Sequence, residues 1–222
     1  MKGTKSVRES KAKADSNVVH GVQERLITAA TAEFVAQGYH GASVSRIIER
    51  AQCNVRMIYH YFGSKDGLYR ACLERVYDDL RAAEAQATFW EDPPDHAIAA
   101  LVRFTFDYMT AHPEFQGMMR IENMVEGENV RRLMAVNHRA GNLFTRIDSV
   151  LSRGSAEGVF VRRPEAAELY LSILGLATIH SSNRHTMGVV LGEDLSSPAF
   201  LERRRRILPD IILCWLRTGV EE

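Results

Sequence analysis

Cysteine is scarce in this chain, and the three present, Cys53, Cys72 and Cys214, stand far apart. They form no CxxC pair and no other spacing that would cage a metal, so neither a metal site nor a disulfide framework is expected. An odd, sparse count suits a reducing compartment, and a buried packing role suits these thiols better than redox sensing. Long apolar runs are missing too. Nothing approaches the roughly 18 residues that span a bilayer, and the N-terminus has no hydrophobic signal core; a cytoplasmic protein without a membrane partner is expected. There is no HExxH, no paired Glu-x-x-His set, no Gly-rich phosphate loop and no nucleophile elbow. No catalytic residues, no cofactor and no enzymatic activity are therefore expected. Convincing β alternation is absent as well, which points to an all-α fold.

Net charge is also lacking, with 28 Lys and Arg against 28 Asp and Glu. The balance hides an asymmetry. Residues 1–70 carry 11 basic against 6 acidic side chains, leaving 17 against 22 for residues 71–222. A basic first third beside an acidic remainder is the distribution expected when one domain meets nucleic acid. An architectural DNA binder without a ligand would be basic throughout, so that alternative is disfavoured.

What is present is concentrated in residues 43–61, SVSRIIERAQCNVRMIYHY. Ser43 can cap a short helix with its hydroxyl, and Val44, Ile47 and Ile48 share its inward face. That helix ends near Arg50 and Ala51. Asn54 offers a second cap, for a helix running through Tyr61. Two helices about a four-residue turn are the arrangement that lays a second helix in the major groove. Ile58, Tyr61 and Phe62 can pack back, leaving Arg56, Met57, Tyr59 and His60 for a partner. Arg bonds guanine, Tyr and His bond phosphates, and Met meets a thymine methyl. Taken alone, the segment could also be a helical hairpin inside any all-α protein.

Around it the helical reading continues. Residues 1–17 are polar and basic, an arm without regular structure by composition. It could follow a DNA backbone or simply solubilise the chain. A helix over 18–37 carries Val22, Leu26, Ala29, Ala30, Phe34 and Val35 as its stripe, with Gly38 as C-cap. Ser64 can cap a fourth helix, where Lys65 could clamp a phosphate beside the first-turn amides. That helix is long enough to leave one bundle and enter another. Further helices fit 94–111, 113–125 and 128–151. Gly154, Gly158 and Pro164 mark a connection, Pro164 opening a helix to about Arg184. The last helix runs from Ser197-Pro198 to near Arg217. The two C-terminal helices are apolar on more than one side, which suggests burial against a second copy of the chain. The run Arg203–Arg206 suits a solvated face better than DNA.

Residues 25–73 resemble the TetR family of bacterial transcriptional regulators. The resemblance rests on Ala29, Ala30, Phe34, Gly38, Tyr39, Ser43, Val44, Ile47, Tyr59, Phe62, Lys65 and Leu68 in order. It covers about a quarter of the chain. More weakly, His112-Pro113-Glu114-Phe115, Glu122-Asn123 and Ser182 to Thr186 are similar to one subgroup. Where the family usually has Gly-Val/Ile-Ser at the turn, this chain has Gln52-Cys53-Asn54. A non-glycine residue held left-handed there costs about 1 kcal/mol.

The resemblance implies an all-α homodimer: a three-helix helix-turn-helix domain over 18–66, and a helical bundle over 67–222 for ligand binding and dimerisation. It implies a regulator, most simply a repressor, that binds a palindromic double-stranded operator and is released by a small-molecule effector. Ser43, Ser45, Arg46, Asn54, Arg56, Met57, Tyr59, His60 and Lys65 then become the candidate DNA-binding residues. Candidate ligand-binding residues, chosen for mixing apolar bulk with single polar groups, are Phe104, Tyr108, Met119, Asn123, Met124, His138, Asn142, His180 and Asn183. Each of these can also be read as ordinary core.

Overall fold

The computed structural model describes the backbone of residues 3–219 and the side chains of residues 21–133 and 142–219. Among the described residues every regular element is a helix. The chain forms two compact units, Met1–Tyr77 with Gly117–Arg132, and Asp78–Gln116 with Leu133–Glu222.

In the first unit, α1 (Gly3–Gly41) is bent at Gly38, whose φ of 70° only glycine adopts freely. From residue 3 on, the arm that composition suggested over 1–17 is helical in its backbone; its Lys, Arg, Glu and Ala residues are all favourable helix formers. Its side chains lie outside those described. α2 (Val44–Ala51), α3 (Val55–Phe62) and the start of α4 (Lys65–Gln86) follow. Eight-residue helices are marginal alone. What holds α2 and α3 is burial of Ile47, Ala51 and Ile58 with Leu26, Ala29, Ala30 and Phe34 of α1 and Leu68 and Leu73 of α4.

A later segment belongs to the same unit: the end of α6 (Pro113–Met124) and α7 (Glu128–Arg132). This division differs from the break at 66/67 suggested by the sequence, and two contacts explain it. Gly117 lies so close to Val35 that a Cβ there would stand 2.5 Å from Cγ1. The Tyr69 hydroxyl donates to the buried carboxylate of Glu122 at 2.8 Å. Glu122 also accepts from the Asn129 and Val130 amides, both at 3.1 Å, and so caps α7. That cap sets α7 apart as a separate turn of helix, where one helix over 128–151 was expected; Leu133, with ψ of 70°, interrupts it.

In the second unit α5 (Pro94–Ala111) packs against α8 (Met134–Ala156), α9 (Ala166–Ser182) and α11 (Pro198–Arg217). Ile98, Leu101, Val102 and Phe106 meet Ile147, Leu151, Leu169, Ile173, Leu208 and Ile212 in one core. A 3-10 turn, Phe89–Glu91, places Trp90 against it. Gly154 lies inside α8 rather than in the connection, and the Phe160 ring occupies the place a Cβ would take there. Pro164 stands before α9 rather than opening it, and the helix expected to reach Arg184 stops at Ser182, with α10 (Arg184–Leu191) separate. Ser197 caps α11 through the Phe200 amide, as its sequence suggested. The arginine run is tied within this unit: Arg203 pairs with Glu193, Arg204 donates to the Leu176 carbonyl, and Arg205 grips Asp107 with two nitrogens.

Candidate nucleic-acid interface

The α2–turn–α3 geometry is built by backbone caps more than by the side chain first suspected. Ser43 occupies the N-cap position of α2, but its hydroxyl makes no capping bond. Instead its amide donates to Glu33 Oε1 at 3.0 Å. At the other end Gln52 is left-handed, with φ of 51° and ψ of 53°. The Gln52 and Cys53 amides close onto the Glu49 and Ile48 carbonyls at 3.2 and 3.1 Å. The strain foreseen at Gln52 is therefore real, and it satisfies two helix-end carbonyls. Asn54 then caps α3, its side chain accepting from the Arg56 amide at 2.9 Å. Arg25 Nε adds a bond to the Ala51 carbonyl at 3.1 Å, fixing the end of α2 to α1.

With Ile58 buried, α3 turns Arg56, Tyr59 and His60 to solvent, Tyr59 with 59% of its surface exposed. Met57, Tyr61 and Phe62 are half-buried, and Val55, not singled out in the sequence, is also exposed. Ser45 is exposed on α2. Two expected phosphate ligands already have internal partners. Lys65 Nζ donates to the Ala42 carbonyl at 2.7 Å and lies 5.0 Å from the Tyr39 ring centroid; burial lowers its pKa. Arg46 donates through Nε to Glu33 at 2.7 Å and through Nη2 to the Gly41 carbonyl at 2.9 Å, while half of its side chain stays exposed.

Glu33 was missed in the sequence. It is buried, and its carboxyl sits below the usual carboxylate range because Arg46 bonds it, against the opposing effect of burial and with help from the Ser43 amide. A signal existed: Glu33 lies three and four residues beyond Ala30 and Ala29, on the stripe that faces inward. A charge placed there needs a partner.

The candidate ligand residues divide between the two units. Met119, Asn123 and Met124 belong to the first unit, with Met124 81% exposed. Phe104, Tyr108, Asn142, His180 and Asn183 belong to the second. Phe104 neighbours Tyr108 at 6.1 Å, and Tyr108 stacks on His112 at 4.2 Å. Burial, and then the charges of Asp79 and Glu114, push the Tyr108 hydroxyl up to about 12. His180 is buried between Phe106 and Phe200, while Asn183 is exposed at the end of α9. The side chain of His138 lies outside those described. Helical spacing identified apolar faces here, but a face does not say which neighbour covers it.

A capped turn between two short helices, presenting Arg, Tyr and His on the second, defines a helix-turn-helix DNA-binding regulator. Residues 26–72 match the family described as bacterial regulatory proteins, tetR family, and residues 94–212 match the tetracyclin repressor-like C-terminal domain. The HTH-type transcriptional repressor NicS of Pseudomonas putida is 31% identical over 195 residues, covering 88% of this chain and 92% of NicS. The HTH-type transcriptional repressor SCO4008 of Streptomyces coelicolor is 35% identical over 103 residues, 46% of this chain and 50% of that protein. Among solved structures, SCO4942 from Streptomyces coelicolor shares the fold with a TM-score of 0.65 at 21% identity, over 89% of this chain and 99% of its own. The chain belongs to the TetR family of transcriptional regulators.

Proposed function

We propose that the protein is a homodimeric repressor that binds an imperfect palindrome and is released by a small-molecule effector. The observation that carries this reading is the exposed face of α3, with Arg56, Tyr59 and His60 held by the capped turn at Gln52 and Asn54. Arg56, Met57, Tyr59 and His60 read base edges and phosphates. Ser45 and the exposed part of Arg46 meet the backbone beside them, and Asn54 sets the start of the reading helix. Ser43 and Lys65 act through their backbone and carbonyl bonds, which fix α2, with any phosphate contact secondary.

Two recognition helices about 34–36 Å apart would read successive major grooves. The second copy covers the exposed apolar residues Leu171 and Ile179 of α9 and Ile207 and Ile211 of α11. An effector that binds the second unit better in its DNA-free arrangement shifts the population by its differential affinity alone. The family and its relatives being regulators supports a chain without catalysis and without a cofactor. No helix among the described residues is long and apolar enough to cross a membrane, which agrees with a cytoplasmic regulator.

The test is selection of duplexes from a random pool by the purified protein, followed by sedimentation of the complex. A two-fold-related sequence bound by a dimer, lost on Tyr59→Ala with the dimer intact, is the expected outcome. Selection of no sequence, or equal affinity in the Tyr59→Ala protein, sinks the reading.

A further inference from the structure

A small cavity in the second unit has charged and polar side chains in its wall. It has a volume of about 30 Å³ and is lined by Arg81, Glu84, Trp90, Asn142, Leu143 and Arg146, among others. Two of the groups in its wall are donors only, the indole Nε1 of Trp90 and Nε of Arg81. Both atoms are buried, and neither has a hydrogen-bond partner among the described residues. Trp90 is 92% buried. The one carboxylate in the wall, Glu84, does not serve them. It accepts from Arg81 Nη1 and from the Tyr170 hydroxyl, the latter at 3.2 Å. Since Arg81 and Glu84 neutralise one another, the Arg146 guanidinium, 5.6 Å from the Trp90 ring centroid, leaves the wall positive. Two buried donors without a partner among the described residues and one surplus positive charge thus belong to residues around one space of about 30 Å³.

We infer that this cavity receives the carboxylate of the effector, which is therefore a small organic acid. The inference rests on the effector reading above and adds the ligand's chemical class. A carboxylate oxygen can accept from Nε1 of Trp90 and Nε of Arg81 while Arg146 balances its charge; charge-assisted bonds of this kind are the strong ones. A neutral amide matches the donors but leaves the charge unbalanced and adds two donors that need acceptors of their own. Of the candidates chosen from the sequence whose side chains are described, Asn142 belongs to this cavity.

Sodium acetate is the probe, titrated at constant ionic strength against chloride and acetamide. The reporter is the Trp90 indole N–H resonance of the full chain, assigned by its loss in Trp90→Phe. Acetate is expected to move that resonance saturably, and acetamide and chloride are not. Arg146→Met is expected to weaken the acetate effect about tenfold, and Asn142→Leu, an exposed residue outside the Arg81–Glu84 pair, to block it while the fold persists. An indole resonance indifferent to acetate in the folded protein, or moved equally by acetamide, overturns the proposal and leaves a cavity for water only. Operator binding separates the two readings. A fall in affinity with saturating acetate supports both. A moving resonance with unchanged operator affinity keeps the carboxylate site and removes its effector role.

Discussion

Arg46 reaches back across the start of α2 to Glu33, bonding its buried carboxylate through Nε at 2.7 Å. The same oxygen takes the Ser43 amide, so one carboxylate fixes both the backbone and a basic side chain at the entrance to the reading unit. Because the folded pKa of Glu33 is depressed, its contribution is present above the ordinary glutamate value and is lost as pH falls through the folded value. Glu33→Gln is expected to lower stability at pH 7 and to flatten the acid limb below about pH 4.5. Denaturant titrations of both proteins between pH 3 and 7 measure this; parallel curves would remove Glu33 from its assigned role.

The left-handed Gln52 makes an opposite forecast. Relief of its strain exceeds the entropy that glycine adds to the unfolded chain, so Gln52→Gly is expected to stabilise by about 0.5 kcal/mol. Calorimetry decides it. A lower Tm would show that the Gln52 side chain contributes more than its backbone costs.

At Gly117 the contact with Val35 leaves no room for a methyl group. Gly117→Ala should cost about 1–3 kcal/mol, and Val35→Ala in the same chain should recover part of the loss. A double-mutant cycle with no coupling would mean that the helices separate freely there.

His180 predicts a second pH dependence. Burial, and then Arg204, lower its pKa, so the unfolded chain takes up a proton that the native state refuses. Stability is then complete above about pH 6.5 and falls as pH drops below it. His180→Phe should flatten the curve between pH 5 and 7, read by thermal melts across that range; an unchanged slope would contradict the assignment.

On α11, Ile207 and Ile211 expose 41% and 42% of their surface. The paired change Ile207→Glu with Ile211→Glu should produce monomers in sedimentation equilibrium, while helicity remains. Dimers that persist would place the interface elsewhere.

How much of this was legible beforehand varied with the kind of signal. Asn54, Gly38, Ser64 and Ser197 could be read because a cap or a positive φ is a local demand met by local chemistry. The structure bears each out: the Gly67 amide bonds the Ser64 hydroxyl at 3.0 Å, and Gly38 has its positive φ. Ser43 misled because its hydroxyl makes no capping bond, while a distant carboxylate, ten residues back, holds its amide. Lys65 and Arg46 looked free for phosphates because the sequence does not show which carbonyl or carboxylate a long side chain will reach. The ligand candidates fall in both units for a related reason: periodicity fixes a face, whereas Trp90, Arg81 and Arg146 share a wall only after three separate segments pack.

The membership of Gly117–Arg132 in the first unit bears on how such proteins could be recombined. A graft joined at residue 66 would transplant α1 to α3 without Tyr69, Leu73, Gly117 or Glu122, exposing the apolar underside of the reading helices. A chimera that keeps its DNA preference would need to carry two stretches of chain, with three junctions rather than one. The modular seam of this regulator is therefore discontinuous in sequence, and exchange between relatives along a single crossover would tend to yield poorly folded hybrids.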